Sequence, residues 1–189
     1  TAGGSFTAPV LVCTIKLNAV YRMLLGEETV LASLDLTSLF VSASGLHPDT
    51  GNVLFNFHGK GLWKRATIYS RLYPDAPTDR DFFTVEVTVP PGGTPDPHAA
   101  FADFAAHVEG LGLARDLRLE GSDLVEDAYP LYRPGAVQLL EAALARVAGS
   151  GIITVGRQGR FEYLPTSSGV VHRVQEELAR AGLVQEMPA

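Results

Sequence analysis

The sequence GRQGRFEYLPTSSG, which begins at Gly156, carries residue types that suit the binding of an anion. Gly156 and Gly159 would let backbone amides approach a negatively charged group closely. Arg157 or Arg160 could add a forked donor that matches phosphate or carboxylate. The hydroxyl residues 166–168 lie where a helix is expected to begin, and the unpaired amides there also favour negative charge. The segment predicts an anion-binding turn, and the alternative is an ordinary strand-to-helix loop with solvated arginines.

A second basic segment, GLWKRATIY, combines cationic side chains with aromatic rings. Trp63, Lys64, Arg65 and Tyr69 could line a pocket, because aromatic rings beside arginine suit a nucleotide or another planar ligand. The alternative is an exposed hairpin in which Trp63 only packs against its neighbours. The spacing of these residues is compatible with both interpretations.

Several other kinds of chemistry are not indicated. The sequence contains no dinucleotide fingerprint, no Walker loop and no zinc-protease or hydrolase motif. Its five histidines are not at ligand spacing, so no metal site is predicted. The net charge of −6 argues against a general nucleic-acid surface. No apolar run approaches the ~18 residues of a membrane span, and the single cysteine, Cys13, suits a reducing compartment, which predicts a cytoplasmic protein.

Two apolar runs are expected to position the first segment. Ala8–Ile15 is typical of a fully buried strand, and the helical spacing that starts at Leu17 ends at Gly26. GIITVG, which leads directly into the arginine-containing segment, predicts a second buried strand. We expect both strands to belong to one buried sheet that the chain leaves and later rejoins.

Between these runs the sequence predicts an antiparallel sheet. Thr37–Leu46 and VLFNFHGKG are expected to form a hairpin, and ATIYSRLYP and Phe82–Val89 to add further strands. LVEDAYPLY indicates an edge or bent strand because Pro130 interrupts it. Helices are predicted after the capping pair Asp96 and Pro97, from Pro134 to Gly149, and from about Gly169 to Ala181.

Taken together, these segments resemble the C-terminal part of FAD-dependent amine-oxidase-like flavoproteins, the group that includes protoporphyrinogen oxidase-like and UDP-galactopyranose mutase-like proteins. VLVCTIKLNAVYRMLLG resembles the strand and helix that lead into their substrate domain. LTSLFVSASGL, RATIYSRLYPD and FFTVEV resemble the strands that follow, and EDAYPLYRPG resembles the family's AYPVY segment. GIITVGRQGRFEYLPTSSGVV is similar to the flavin-contacting motif GRxGxFxYxNMD with its strand and helix.

The resemblance implies the position of FAD and of a small-molecule substrate. The residues that it places at the flavin are Gly156, Arg157, Gly159, Tyr163 and Ser167, with Arg157 contacting an anionic group. The residues that it places on the substrate side are Arg65, Tyr69 and Tyr129. It implies hydride transfer from a small organic substrate to the flavin, with a mutase-like reaction on a nucleotide sugar as a variant.

The chain also departs from the family pattern. PTS replaces NMD, so that Ser167 stands where an acidic residue is usual, and Lys16 stands where a turn proline is usual. The glycine fingerprint of the FAD-binding half is absent from the sequence, so the expected partner of this chain is that half. We expect the chain alone to be inactive and to retain little flavin. The alternative is a non-enzymatic ligand-binding module on the same scaffold, and exposed apolar surface could also produce a homodimer.

The predicted fold class is α+β: an antiparallel sheet of several strands with packed helices, plus a strand–helix remnant of an α/β FAD-binding layer. The expected division has three parts. Residues 1–35 form the strand and helix of the FAD-binding layer, and residues 36–133 form the antiparallel substrate domain. Residues 134–189 contribute a helix, a buried strand and a terminal helix that return to the first layer.

Overall fold

The computed structural model describes residues 4–29, 31–75 and 79–185. It divides into two compact units, of which the first comprises Thr1–Ala32 with Pro130–Ala189 and the second comprises Ser33–Tyr129. In chain order the elements are β1 (Leu11–Cys13), α1 (Leu17–Leu25), β2 (Ser33–Ala43), β3 (Val53–Phe55), β4 (Trp63–Ile68), α2 (Tyr69–Leu72), β5 (Asp81–Val89), α3 (Pro97–Gly110), β6 (Arg118–Pro130), α4 (Ala136–Ala148), β7 (Ile152–Thr154), α5 (Gly156–Gly159) and α6 (Ser167–Arg180). The predicted α+β class, with an antiparallel sheet and a separate strand–helix layer, is confirmed.

The first unit contains a two-stranded parallel sheet formed by β1 and β7. Leu11 lies opposite Ile152, and the pairing continues to Cys13 and Thr154. The expectation that the two apolar runs join in one sheet is therefore confirmed. The expected full burial of β1 is wrong, because Leu11 is 53% exposed and β1 has no second neighbour among the described strands. The strand is also shorter than the apolar run that predicted it.

Helix α1 packs against α4 in this unit. It ends as predicted at Gly26, whose left-handed conformation lets its N–H donate to the Arg22 carbonyl. On α4, Arg146 donates to both carboxylate oxygens of Glu27, at 2.7 and 3.0 Å, and to the Tyr21 hydroxyl. The hydrogen bonds from Arg146 hold the pKa of Glu27 below its usual value. This ion pair fixes the end of α1 to the last turn of α4.

The second unit is built on a five-stranded antiparallel sheet in the order β3-β4-β5-β2-β6. The predicted hairpin between Thr37–Leu46 and the next strand is wrong, because β3 pairs with β4 and β2 pairs with β5 along nine residues. The strand predicted in ATIYSRLYP ends at Ile68, where the short helix α2 begins. The edge position predicted for the strand ending at Pro130 is confirmed for β6.

Helix α3 covers one face of this sheet. It begins as predicted, with the Asp96 side chain accepting a hydrogen bond from the Ala99 N–H and with Pro97 as its first residue. Phe104 and Val108 of α3 are buried in the core of the second unit. The core residues that β2 and β5 contribute are Leu39, Val41 and Ala43 of β2 with Phe83, Val85 and Val87 of β5.

The opposite face of the sheet is less covered than the face under α3 and is called the open face below. It carries the side chains that alternate with the core residues, among them Phe40 and Phe82, which are 44% and 36% exposed. Glu86 lies on this face between buried Val85 and Val87. The open face therefore mixes aromatic, hydroxyl and charged side chains.

The close approach of α5 to β1 yields a first prediction. A β-carbon at Gly159 would lie 2.9 Å from the Cys13 carbonyl oxygen and 3.5 Å from the Thr14 α-carbon. Both atoms belong to the backbone, so they cannot rotate away. We expect Gly159→Ala to lower the free energy of unfolding by about 1–3 kcal/mol, measured by urea denaturation.

Gly110→Ala is the matched control for this substitution. Gly110 is the last residue of α3, and a β-carbon there would meet no atom within 4 Å. This variant should leave the stability unchanged or raise it by up to about 1 kcal/mol. Equal stability of the Gly159 variant and the wild type would contradict the packing described.

Candidate functional site

The arginine-containing segment of the first unit follows β7 and begins with the single-turn helix α5. The expected turn is thus a short helix, in which the Arg160 N–H donates to the Gly156 carbonyl at 2.9 Å. Gly156 is buried and has a φ of +77°, a conformation that L side chains rarely adopt. Gly159 is required by its contact with β1. Both glycines therefore have structural reasons, and their contact with a ligand stays a prediction.

Two of the predicted flavin-side residues lie together. The Arg157 guanidinium carbon is 5.6 Å from the centroid of the Tyr163 ring, a cation–π arrangement that orients both side chains. Tyr163 is about half exposed, and Arg157 is partly buried. Arg160 instead faces Glu177, with 3.7 Å between Nε and Oε1. The ion pair with Glu177 makes Arg160 a weaker candidate to meet an external anion.

Tyr132 fixes the segment that carries Tyr163. Its hydroxyl donates to the Phe161 carbonyl at 2.9 Å and accepts from the Tyr163 N–H at 3.1 Å. Phe161 has a positive φ of 54°, which is uncommon for a bulky residue. Sequence reasoning did not assign this role, because the residues joined are about thirty positions apart and no local pattern connects them.

Helix α6 begins two residues before the predicted position, at Ser167. Thr166 is its N-cap, and its side-chain oxygen accepts a hydrogen bond from the Gly169 N–H at 3.1 Å. Ser167 and Ser168 are exposed at this end of the helix. The first turn of α6 thus presents backbone N–H groups and hydroxyls, as the hydroxyl cluster predicted.

An ion-pair network holds α6 to the segment after α5. Arg173 donates to both carboxylate oxygens of Glu162, at 2.7 and 2.9 Å, and to Glu176 at 3.0 Å. Glu177 is buried and is paired with Arg180 at 2.7 Å. The hydrogen bond from Arg173 holds the pKa of Glu176 below its usual value, and the bonds to Glu162 raise the pKa of Arg173.

A cavity of about 170 Å³ lies beside this segment in the first unit. Tyr132, Phe161 and Leu139 are among its lining residues, and Arg133 is the charged residue in the lining. The cavity combines an apolar wall with one cation, which suits part of an organic molecule more than a metal ion.

In the second unit, the predicted substrate-side residues are associated with the open face. Arg65 forms an ion pair with Glu86 of the neighbouring strand. Tyr69 lies in α2 rather than in a strand, and its ring stacks on Phe82 and Tyr73 at 6.4 Å between centroids in each case. Tyr129, near the end of β6, lies under the ammonium group of Lys64, 4.5 Å from the ring centroid.

Trp63 does not line the site. It is buried in the core under α3, and its indole N–H donates to His107 Nδ1 at 3.0 Å. Its interpretation as a pocket residue is wrong, because it lies on the covered face of the sheet and packs edge-on against Phe104. The interpretation of Trp63 as a packing residue is the one that the structure bears out.

A metal site and a membrane-spanning helix are both absent from the part of the chain that the structure describes. No group of three or more histidine, cysteine or acidic side chains there is arranged to hold a metal ion. None of the helices within residues 4–29, 31–75 and 79–185 combines the length and the apolar character needed to cross a membrane.

Comparisons with known proteins identify the fold. No family model matches the chain, and no curated protein matches its sequence. Solved structures do match, among them a reduced UDP-galactopyranose mutase with a TM-score of 0.78 and 18% sequence identity, which covers 98% of this chain and 44% of that one. The chain therefore has the fold of part of this mutase, which belongs to the group that the sequence resembles, and the resemblance is confirmed at the level of the fold.

Two further solved structures support this assignment. A putative protoporphyrinogen oxidase from Exiguobacterium sp. 255-15 matches with a TM-score of 0.57 at 15% identity, over 91% of this chain and 42% of that chain. The PF1083 protein from Pyrococcus furiosus matches with a TM-score of 0.54 at 12% identity, over 96% and 43%. The chain spans less than half the length of each of the three proteins.

The first unit offers two kinds of donor that suit acceptor groups of a flavin. The first turn of α6 offers N–H groups, and Arg157 offers a guanidinium, both of which suit the carbonyl and phosphate oxygens of that cofactor. An acidic residue that would accept from the ribityl hydroxyls is absent at Ser167, whose side chain is exposed. The fit is thus to acceptor groups of the cofactor.

The double hydrogen bond of Tyr132 can be tested by substitution. Tyr132→Phe keeps the ring but removes the donor to Phe161 and the acceptor for Tyr163. We expect a loss of about 1–2 kcal/mol in the free energy of unfolding. Hydrogen exchange at the Tyr163 amide should become faster. Tyr73→Phe, at an exposed position in the second unit, is the control, and unchanged exchange in the Tyr132 variant would contradict the contact.

The lowered pKa of Glu176 gives a pH prediction. A carboxyl group whose pKa is lower in the folded state stabilises the fold above its unfolded pKa, and this stabilisation is lost as the pH falls through the folded pKa. The wild type should therefore exceed Glu176→Gln in stability near neutral pH, and the difference should shrink in acid. Glu109→Gln, at an exposed position of α3 in the second unit, serves as the control. A difference that does not depend on pH would contradict the ion pair with Arg173.

Proposed function

We propose that this chain forms the substrate-binding part of an FAD-dependent flavoprotein that oxidises a small organic substrate by hydride transfer to the flavin. The observation that carries the proposal is the match of 98% of the chain to part of a UDP-galactopyranose mutase at a TM-score of 0.78. Both units contribute to this match, because it covers nearly all of the chain. The flavin, when bound, supplies the two-electron chemistry, and the protein supplies binding and orientation.

The first unit would hold one edge of the flavin. Arg157, oriented by its contact with Tyr163, would donate to an anionic or carbonyl oxygen of the cofactor. The α6 amides beside Ser167 would donate in the same way, and the positive end of the helix dipole would favour negative charge there. Gly156 allows the positive φ at the start of α5, and Gly159 allows the close approach of α5 to the end of β1.

The second unit would hold the substrate on its open face. Arg65 lies there, and its ion pair with Glu86 holds the guanidinium group in position. Tyr69 and Tyr129 contribute aromatic rings. Aromatic walls with a few placed polar groups are typical of small-molecule sites. The substrate would thus be oriented by side chains of β4, α2 and β6.

The partner in this proposal is the FAD-binding half of such a flavoprotein. The parallel sheet of β1 and β7 supports this, because parallel strands are usually covered on both faces while the side chains of Leu11, Val12 and Ile15 are exposed. A homodimer formed through the same surface is the competing assembly. The cytoplasm remains the proposed location, on the basis of the single cysteine.

A mutase-like reaction on a nucleotide sugar is the second candidate. The higher TM-score of the mutase, 0.78 against 0.57 for the putative protoporphyrinogen oxidase, favours it. A ligand-binding module without catalysis is the third, and the exposed Ser167 in place of an acidic residue favours that reading. Three measurements distinguish these candidate functions. An oxidoreductase would consume an oxidisable substrate, a mutase-like enzyme would isomerise a sugar nucleotide, and a binding module would bind its ligand without turnover.

The proposal is tested on the complete product of the gene that encodes this chain. We expect the purified protein to show the visible absorption bands of oxidised flavin, and the chain of 189 residues alone to bind added FAD weakly. Arg157→Ala should weaken FAD binding by about tenfold, the loss of one charge-assisted contact. Arg22→Ala, at an exposed ion pair on α1, is the matched control. A complete gene product that binds no flavin would contradict the proposal.

A further inference from the structure

A β-bulge in β4 changes the direction of two consecutive cationic side chains. Trp63 lies opposite Val87 and Arg65 lies opposite Glu86, so Lys64 is the extra residue on β4. In a regular strand, neighbouring side chains point to opposite faces of the sheet. A bulge interrupts this alternation and re-aims a side chain. Here Trp63 enters the core, and Lys64 and Arg65 both remain outside it.

The position of the Lys64 ammonium group is defined by Tyr129. Nζ lies 4.5 Å from the centroid of the ring. Strands β5 and β2 separate β4 from β6 in the sheet, so the contact bridges two strands. Because α3 covers the other face, Lys64 and Tyr129 meet across the open face. A cation over an aromatic ring keeps its remaining N–H donors available for other acceptors.

No carboxylate among the described residues is paired with the Lys64 ammonium group. Glu86, the acidic residue opposite β4, is paired with Arg65, and its side chain is only 14% exposed. Among the described residues no carboxylate lies within ion-pair distance of Lys64. The three charged groups of the Lys64, Arg65 and Glu86 cluster therefore sum to one positive charge on the open face.

The surroundings of this charge are apolar and aromatic. Phe82, on the same face, stacks with Tyr69, and Phe40 is also exposed there. A fixed cation beside exposed rings suits an amphipathic ligand more than an inorganic ion, since rings bury the organic body while the ammonium binds the anionic group. The pairing of Arg65 with Glu86 adds donors in a fixed orientation.

We propose that Lys64, held by Tyr129, is the anion-binding residue of the open face, and that its ligand is a small organic molecule with a carboxylate or phosphate group. The inference rests on the proposed function in one respect, namely that the open face binds the substrate. It adds the charge class of that substrate and a residue, Lys64, that anchors it. Glu86 acts as a positioning residue, because it holds Arg65 beside the ligand's anionic group.

The test is a titration of the isotope-labelled chain in which amide chemical shifts report the binding of each probe. The probes are benzoate and phenyl phosphate, with benzyl alcohol as the neutral compound of similar shape and inorganic phosphate as the bare anion. We expect the aromatic anions to shift amides of β4, β5 and the end of β6, and benzyl alcohol to shift them much less. Tighter binding of phenyl phosphate or of benzoate decides between phosphate and carboxylate.

Variants separate the proposed role from general electrostatics. Lys64→Gln should weaken binding of the preferred anion by about tenfold or more, the loss of one charge-assisted contact. Lys60→Gln, which removes the same charge from the exposed turn before β4, should change it less than about twofold. Tyr129→Leu, which removes the ring under the Lys64 ammonium group, should also weaken binding.

Two results would overturn the inference. One is equal weakening by the Lys64 and Lys60 substitutions, and the other is no binding of either aromatic anion. Flavin content of the complete gene product is measured independently of these titrations. A flavin-containing protein with an open face that binds no anion would therefore overturn only this inference, and anion binding in a protein without flavin would overturn only the proposed function.

Discussion

The parallel pairing of β1 with β7 is the constraint on which the rest of this structure depends. It joins residues 11–13 to residues 152–154, so the chain between them must leave this sheet and return to it. The second unit is the result of that excursion and forms its own sheet and core. The pairing also positions the candidate flavin-side segment. Helix α5 follows β7 directly, and its Gly159 lies against the backbone at the end of β1.

Local patterns in the sequence predicted where helices and strands form better than they predicted which strands pair with each other. Gly26 and Asp96 cap helices through contacts within one turn. The end of α1 and the start of α3 could therefore be predicted from the local sequence. The choice of β5 as the neighbour of β2 depends on nine matched residues far apart in sequence, which alternation alone cannot identify. The exposure of β1 was also beyond prediction, because an apolar run predicts burial without saying which element supplies it.

The candidate site shows the same limit. The resemblance placed Arg157 and Tyr163 at one site, and the structure brings these two side chains together. It did not reveal Tyr132 or Lys64, because each acts through a contact that only the folded chain creates. Trp63 was ambiguous in sequence, since its burial depends on the bulge that follows it. Gly159 shows that a motif glycine can be required by packing against β1 as well as by a ligand.

A crystal structure of the complete gene product with oxidised FAD would test the proposed flavin site. We expect the flavin ring to lie against Arg157, Tyr163 and the first turn of α6. A flavin bound away from this segment, or a protein that crystallises with FAD in excess and binds none, would contradict it.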